Sequence, residues 1–277
     1  TVQKTGDKIT VTAPTWRQDV TGPVDIAEEV SRIYGYDNIS STKPVGPIHA
    51  GGGATERSLM DKSRDLMSGL GFYETLSFSF SHPDFFDHLR LPADSPLRHA
   101  IPILNPITDE YPILRTTLMA GLLDTVARNL ARKNEDLKLY EVGTTHHAKN
   151  LPLTEHPEEL YRLCGAMVGR RDGTEWCHSR EAVDFYDVKG VVETLLNGLG
   201  VANWQIASST TPWLHPGKQA DFRVGDITVA TIGALHPGVQ QAFAITKPVY
   251  IFKATLSELD SLDLSASQKY APLAKYP

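Results

Sequence analysis

The chain has 277 residues, Lys+Arg 27 against Asp+Glu 33 for a formal net charge of −6, and 41% hydrophobic and 22% charged residues. These ordinary globular values exclude wholesale disorder and collagen-like repeats, and the mild acidity argues against nucleic-acid binding by bulk charge. At roughly 100–200 residues per domain, the length predicts one large domain, or one large and one small. Two cysteines, Cys164 and Cys177, are too few for a disulfide framework or a four-cysteine zinc site, and they point to a reducing cytoplasm. No stretch approaches the ~18–20 apolar residues of a membrane helix, and no signal-peptide pattern opens the chain. A start at Thr1 and an end at Pro277, directly after Tyr276, predict a piece of a longer polypeptide.

In chain order, residues 1–13 alternate apolar and polar around Ile9, Val11 and Ala13, with a turn at Gly6-Asp7, which predicts a hairpin or edge strand. A helix is expected over Asp25–Tyr34. Ile26, Val30 and Ile33 form its stripe and Gly35 ends it. Residues 46–54, with Gly51-Gly52-Gly53, read as a linker and domain boundary. Beyond it the pattern predicts a helix over Thr55–Leu70 stopped by Gly71 and a strand over 73–80. A helix after Leu114-Arg115-Thr116 should run to about Lys133, with Leu118, Leu122, Val126 and Leu130 in register. A strand over Leu137–Val142 ending at Gly143, a polar loop at 146–157 and a strand over Leu160–Val168 come next. A helix over Asp187–Leu199 should be capped by Asp187 and stopped by Gly200. Short β runs at 203–208, 219–225, 227–235 and 248–254 complete an α+β pattern with a largely antiparallel sheet.

The densest chemical constellation is Asp19 followed by Asp25, Glu28 and Glu29. On a helix starting at Asp25, positions 25, 28 and 29 share a face, and Asp19 can fold back onto it. Hard oxygen ligands of this kind suit Mg²⁺ or Ca²⁺. The same residues also serve a plain structural purpose, with Asp25 as N-cap, Glu28 completing a capping box and first-turn acids complementing the helix dipole. From the residues alone both readings stand open. His146-His147 should point to opposite faces of a strand, and His215 and His236, each in His-Pro-Gly, read as turns. Cys164 reads as a small buried hydrophobe, and Cys177-His178 lacks support as a catalytic pair. Arg128, Arg132 and Lys133 read first as a solvated helix face and second as a phosphate-contacting patch. Motifs for a P-loop, dinucleotide fold, nucleophile elbow or zincin are absent.

Pro14-Thr15-Trp16-Arg17-Gln18-Asp19, Asp25-Ile26-Ala27-Glu28-Glu29-Val30 and Arg32-Ile33-Tyr34-Gly35-Tyr36-Asp37 closely resemble the bacterial phenylalanyl-tRNA synthetase beta subunit. Gly71-Phe72-Tyr73-Glu74, Ser77-Phe78-Ser79-Phe80, Asn105-Pro106-Ile107, Leu114-Arg115-Thr116-Thr117-Leu118 through Gly121-Leu122-Leu123, and Leu139-Tyr140-Glu141-Val142-Gly143 continue the resemblance. So do Asp187-Val188-Lys189-Gly190, Leu214-His215-Pro216-Gly217 and Gly233-Ala234-Leu235-His236-Pro237.

The resemblance implies an internal fragment of that subunit. Residues 1–45 would be the C-terminal part of a small cation-binding domain. Residues 55–277 would be a class II aminoacyl-tRNA synthetase-like module, an antiparallel sheet flanked by helices. It further implies Mg²⁺ at Asp19, Asp25, Glu28 and Glu29. The expected partners are an alpha subunit, in a heterotetramer of two alpha and two beta chains, and tRNA(Phe) through the full-length enzyme. An editing domain would lie upstream and an anticodon-contacting domain downstream. Class II adenylation needs arginines on ATP, on a motif 2 strand and after a Gly-rich motif 3. Here Leu137–Val142 leads into Gly143-Thr144-Thr145, and Gly233 to Pro237 into Gly238-Val239-Gln240-Gln241, without one. The expectation is therefore a structural, subunit-packing region with no catalytic residues of its own in a cytoplasmic phenylalanine–tRNA ligase. The competing readings are a Mg²⁺-dependent enzyme acting through the acidic cluster and a stand-alone RNA-binding paralogue.

Overall fold

The computed structural model describes residues 1–47, 55–171, 181–262 and 264. The glycine run 51–53 and the pair Cys177-His178 lie outside them. The chain divides into two compact units, Thr1–Gly52 and Gly53–Pro277.

In the first unit, β1 (Val2–Thr5) and β2 (Lys8–Val11) form an antiparallel hairpin. Gly6 has φ 63°, a backbone conformation that glycine adopts without a Cβ penalty and that closes the two-residue turn. Helix α1 spans Pro23–Tyr34 and starts two residues earlier than the sequence pattern indicates, because Pro23 takes the first helical position and Gly22 is the N-cap. Asp25 is therefore not the cap. It is the third helical residue and reaches back, as its hydrogen bonds below show. No residue of α1 is buried, and Val30 and Ile33 of its apolar stripe are exposed.

The second unit opens with α2 (Thr55–Gly69), which buries Leu59 and Met67. Gly71 at φ 80° turns the chain out of it. The strand expected over 73–80 is broken into β3 (Tyr73–Glu74) and β4 (Phe80–Ser81). Between them the backbone leaves the sheet and binds a buried side chain instead, Ser77 N donating to Glu141 Oε1 at 3.3 Å. A short helix α3 (Asp84–His88) and β5 (Ile113–Leu114), which pairs with β4, precede α4 (Met119–Ala131). Leu122 and Val126 of α4 are fully buried, as their spacing predicts.

Strands β6 (Leu137–His147) and β7 (Glu158–Val168) are each longer than the apolar runs suggest. Gly143 does not end β6, and the loop between them is correspondingly shorter. Helix α5 (Phe185–Leu199) is capped by Asp184, not Asp187. Asp184 Oδ1 accepts from Tyr186 N at 2.7 Å and Asp187 N at 3.0 Å, while Asp187 Oδ2 accepts from Asp184 N at 2.8 Å, a reciprocal capping box. Gly200, left-handed at φ 86°, stops it.

Then come β8 (Gln205–Ser208), β9 (Leu214–Val224), β10 (Ile227–Leu235), α6 (Pro237–Ala242), β11 (Val249–Thr255) and α7 (Leu256–Asp260). His215-Pro216-Gly217 is thus inside β9, where the pairing with β10 shifts register, and is not a turn. His236 caps α6, its Nδ1 accepting from Gly238 N at 3.0 Å.

One seven-stranded sheet organises this unit in the order β3-β6-β7-β11-β10-β9-β8. Among the described strands, only β3 and β6 run parallel. One core, with Tyr140, Leu163, Phe222 and Phe252, packs the sheet under residues of α2, α5 and α7. The other, with Leu139, Cys164, Ala166 and Ile251, packs it against residues of α3, α4 and α6. The resulting α+β architecture is mixed in strand direction but predominantly antiparallel.

Candidate functional site

The acidic cluster lies in the first unit. Asp25 Oδ2 accepts from Thr21 N and Gly22 N, both at 2.7 Å, and from Thr21 Oγ1 at 3.2 Å. Those two backbone donors hold its pKa below the usual carboxylate range. Asp19 and Glu29 are joined by Arg17. Its Nη2 lies 2.6 Å from Asp19 Oδ2 and 2.6 Å from Glu29 Oε1, and Arg32 Nη2 reaches Glu29 Oε2 at 2.7 Å. With hydrogen bonds from two guanidinium groups, the Glu29 carboxyl falls to about 2. Arg17 supplies the positive charge that lets Asp19 and Glu29 approach. Among the described residues, no group of three or more His, Cys, Asp or Glu side chains is placed to hold a metal ion. In this arrangement the donor set does not fit a divalent cation, because Asp19 and Glu29 face arginine and Asp25 faces backbone N–H groups.

In the second unit, the segment before α4 sends Arg115 under the sheet edge. Arg115 Nη1 lies 2.6 Å from Glu141 Oε1, and the two side chains are 8% and 2% exposed. Arg115 Nε also donates to Thr144 O at 2.9 Å, and Nη1 to Ser77 Oγ at 3.0 Å. Ser77 Oγ in turn donates to Glu141 Oε2 at 2.6 Å. A buried pair of this kind persists only when the surrounding polar groups are satisfied, as they are here. Two glycines make room for it. A Cβ on Gly143 would sit 2.5 Å from Arg115 Nη2, and one on Gly121 would sit 2.5 Å from Ser77 Oγ. Arg115, Gly121, Glu141 and Gly143 fall in separate sequence motifs that no local pattern joins. The usable signal was Arg and Glu in two apolar segments, each followed by a glycine.

This clip holds the strip between β3 and β4 at the rim of the sheet. Arg115 N donates to Ser79 O at 2.9 Å, and Thr75 N to Tyr140 O at 2.7 Å. The side chains that the strip presents outward are apolar, with Tyr73 76%, Leu76 86% and Phe78 73% exposed. Phe78 stacks on Phe80 and leans on Tyr111 at ring-centroid distances of 6.5 Å and 6.4 Å. Leu104 and Ile107, in the loop before β5, are also exposed.

The remaining sequence candidates fall into place as follows. His146 and His147 are the last residues of β6, and burial lowers the pKa of each. Cys164 is 2% exposed and its thiol is pushed up by desolvation, so it is an inert core residue. Arg128, Arg132 and Lys133 are exposed, with Arg128 Nε 3.2 Å from Asp124. No helix of the described residues is long and apolar enough to cross a membrane.

The sheet and its helices define a class of fold. Pyrrolysyl-tRNA synthetase from Desulfitobacterium hafniense superposes with a TM-score of 0.56 at 14% identity, over 78% of this chain and 74% of that one. Over that span the chain shares the fold of this synthetase.

The family described as "Phenylalanyl tRNA synthetase beta chain CLM domain" matches residues 39–256, and "tRNA synthetase B5 domain" matches residues 1–36. The chain belongs to the phenylalanyl-tRNA synthetase beta-chain family. The phenylalanine–tRNA ligase beta subunit of Syntrophotalea carbinolica is 39% identical over 93% of this chain and 32% of that protein. That of Geobacter sulfurreducens is 36% identical over 97% and 33%. The chain thus spans about a third of the length of these relatives.

Proposed function

We propose that the chain is a structural, subunit-packing region of a phenylalanine–tRNA ligase beta subunit and carries no adenylation chemistry of its own. The partner is the alpha subunit, in an assembly of two alpha and two beta chains that acts in the cytoplasm on tRNA(Phe), phenylalanine and ATP. The exposed apolar strip of Tyr73, Leu76 and Phe78 carries this reading. It borders β3, the end strand of the sheet, whose outer edge is unpaired among the described strands. An unpaired edge beside several large apolar side chains is a surface that proteins cover.

Arg115 supports the same reading. Electrostatic stabilisation of a transferring phosphoryl group needs cations that are free to face it. Arg115 is engaged by Glu141 and is not free to do so.

The proposal extends to Mg²⁺ at Asp19, Asp25, Glu28 and Glu29. Binding there requires Arg17 to release Asp19 and Glu29, so the cation and Arg17 compete for the same two carboxylates. These residues would hold the ion as a structural link, and no chemical step passes through it.

Co-purification with the alpha subunit tests the packing role. Phe78→Glu places a charge in the strip without touching the buried core. It should abolish co-purification while leaving the circular dichroism spectrum unchanged. Undiminished association of this variant with the alpha subunit would remove the strip from the interface.

A further inference from the structure

A second feature of the large unit lies apart from the exposed strip. A polar row crosses the sheet on the face that packs against α4. Glu141 on β6 pairs with Cys164 on β7, Cys164 with Lys253 on β11, Lys253 with Thr231 on β10, and Thr231 with Asp221 on β9. Residues directly opposite one another share a face, so five neighbouring strands bring these five side chains to one side.

The row is satisfied at both ends. Glu141 holds Arg115, and Thr231 Oγ1 donates to Asp221 Oδ1 at 2.8 Å. Its centre is not. Lys253 Nζ lies 5.0 Å from the centroid of the Trp213 ring and makes no hydrogen bond or ion pair among the described residues. Burial pulls its pKa down. A cation–π contact leaves the ammonium's N–H donors without acceptors.

The ammonium opens into a cavity of about 140 Å³, which Thr117, His147, Arg162, Cys164 and Trp213 also line. That space far exceeds what one water needs. No carboxylate lines it. Arg162 is diagonal to Lys253 across β7 and β11, since Cys164 is the residue opposite Lys253 and Arg162 is opposite Thr255. Such diagonal neighbours sit about 7–8 Å apart, close enough for one small anion to bridge them. Arg162 gives Nη1 to Glu258, and its Nε and Nη2 have no hydrogen-bond acceptor among the described residues. Thr117 Oγ1 accepts from Met119 N at 3.2 Å, which leaves its hydroxyl hydrogen free to donate. The remaining walls, Leu118 and Met119 among them, are apolar.

We propose that this cavity is a binding site for a compact monocarboxylate with a short apolar body, its oxygens shared by Lys253 Nζ and the open edge of the Arg162 guanidinium. The charge fits a monoanion at most, because Glu258 pairs with Arg162 and Asp221 attracts Lys253 from β9, while neither carboxylate enters the cavity. The apolar walls fit a carbon body and disfavour a fully hydrated dianion. This site is independent of the alpha-subunit reading: it predicts ligand binding by the chain whether or not the strip packs on a partner.

The test uses the ¹⁵N-labelled 277-residue chain with isobutyrate as probe and inorganic phosphate as the purely polar comparison. Isobutyrate should produce saturable shifts at the amides of Thr117, Leu118 and Lys253 and at the Trp213 indole N–H. Lys253→Met keeps the methylenes over Trp213 and removes the charge, so affinity should fall about tenfold or more. Cys164→Met keeps both charges and fills the space, and should also abolish the shifts. Absent shifts, shifts confined to other residues, unchanged affinity in either folded variant, or phosphate shifting these residues while isobutyrate does not would each overturn the proposal. The wild-type shifts decide the matter even if a variant does not fold.

Discussion

Removing Arg115 is the sharpest structural perturbation available in the large unit. In the native chain Glu141 accepts 2.6 Å bonds from Arg115 Nη1 and Ser77 Oγ, and a 3.3 Å bond from Ser77 N. Arg115→Met deletes the cation paired with a carboxylate that is 2% exposed, and it also strips a donor from Thr144 O. Breaking one side of a buried ion pair is worth about 3–5 kcal/mol, because a charge is left without its partner. At about 2–4 °C per kcal/mol for a unit of this size, the unfolding midpoint should drop by roughly 6–20 °C. The double variant Arg115→Met/Glu141→Leu removes both charges and should recover at least half of that loss. Full recovery is not expected, since Thr144 O and Ser77 N remain without their side-chain partners. Thermal and urea unfolding followed by circular dichroism measures four chains: wild type, Arg115→Met, Glu141→Leu and the double variant. A single variant within about 1 kcal/mol of wild type, or a double variant whose loss is the sum of the singles, would refute the picture of a coupled buried pair.

Other predictions follow from the same geometry. Gly143→Ala should destabilise by about 1–3 kcal/mol in urea unfolding, because its Cβ would sit 2.5 Å from Arg115 Nη2; the same substitution in Arg115→Met should lose most of its effect. In the small unit, Glu29 titrates near 2, below the ~4.3 of an unfolded chain. Its contribution to stability is therefore complete above the unfolded value and is lost as pH falls from there toward 2. Arg17→Ala should move the Glu29 midpoint up toward the ordinary range in a carboxyl ¹³C titration, and an unmoved midpoint would show that Arg17 is not the cause. The same variant should bind Mg²⁺ more tightly by calorimetry, and no binding to either chain would end the Mg²⁺ proposal.

Much of this fold is legible in the sequence, and the reasons are specific. Helices α2, α4 and α5 each carry an apolar stripe at helical spacing, and Gly71 and Gly200 stop α2 and α5, so their existence follows from local pattern. The helix starts do not, because a cap depends on which of several acidic residues turns its side chain back. At α1 Pro23 and Gly22 displace Asp25 from that role, and at α5 Asp184 displaces Asp187. The alternation over 73–80 is real but belongs to a strip whose apolar side chains face outward, and sequence cannot distinguish a covered face from one awaiting a partner. Arg115 and Glu141 are 26 residues apart, and Cys164 and Lys253 meet only through the β7–β11 register. Contacts of this kind depend on strand pairing, which local patterns do not encode. The acidic cluster was visible as four carboxylates, but the place of Arg17 between Asp19 and Glu29 was not.

On the reading proposed above, this region packs and positions but does not activate the amino acid. Phenylalanine-dependent ATP–pyrophosphate exchange tests that reading most directly. The purified 277-residue chain should show no exchange above background at any enzyme concentration, and the alpha subunit joined by an intact beta subunit should show it. Exchange catalysed by the chain alone, dependent on phenylalanine and lost on Arg162→Gln, would contradict the account.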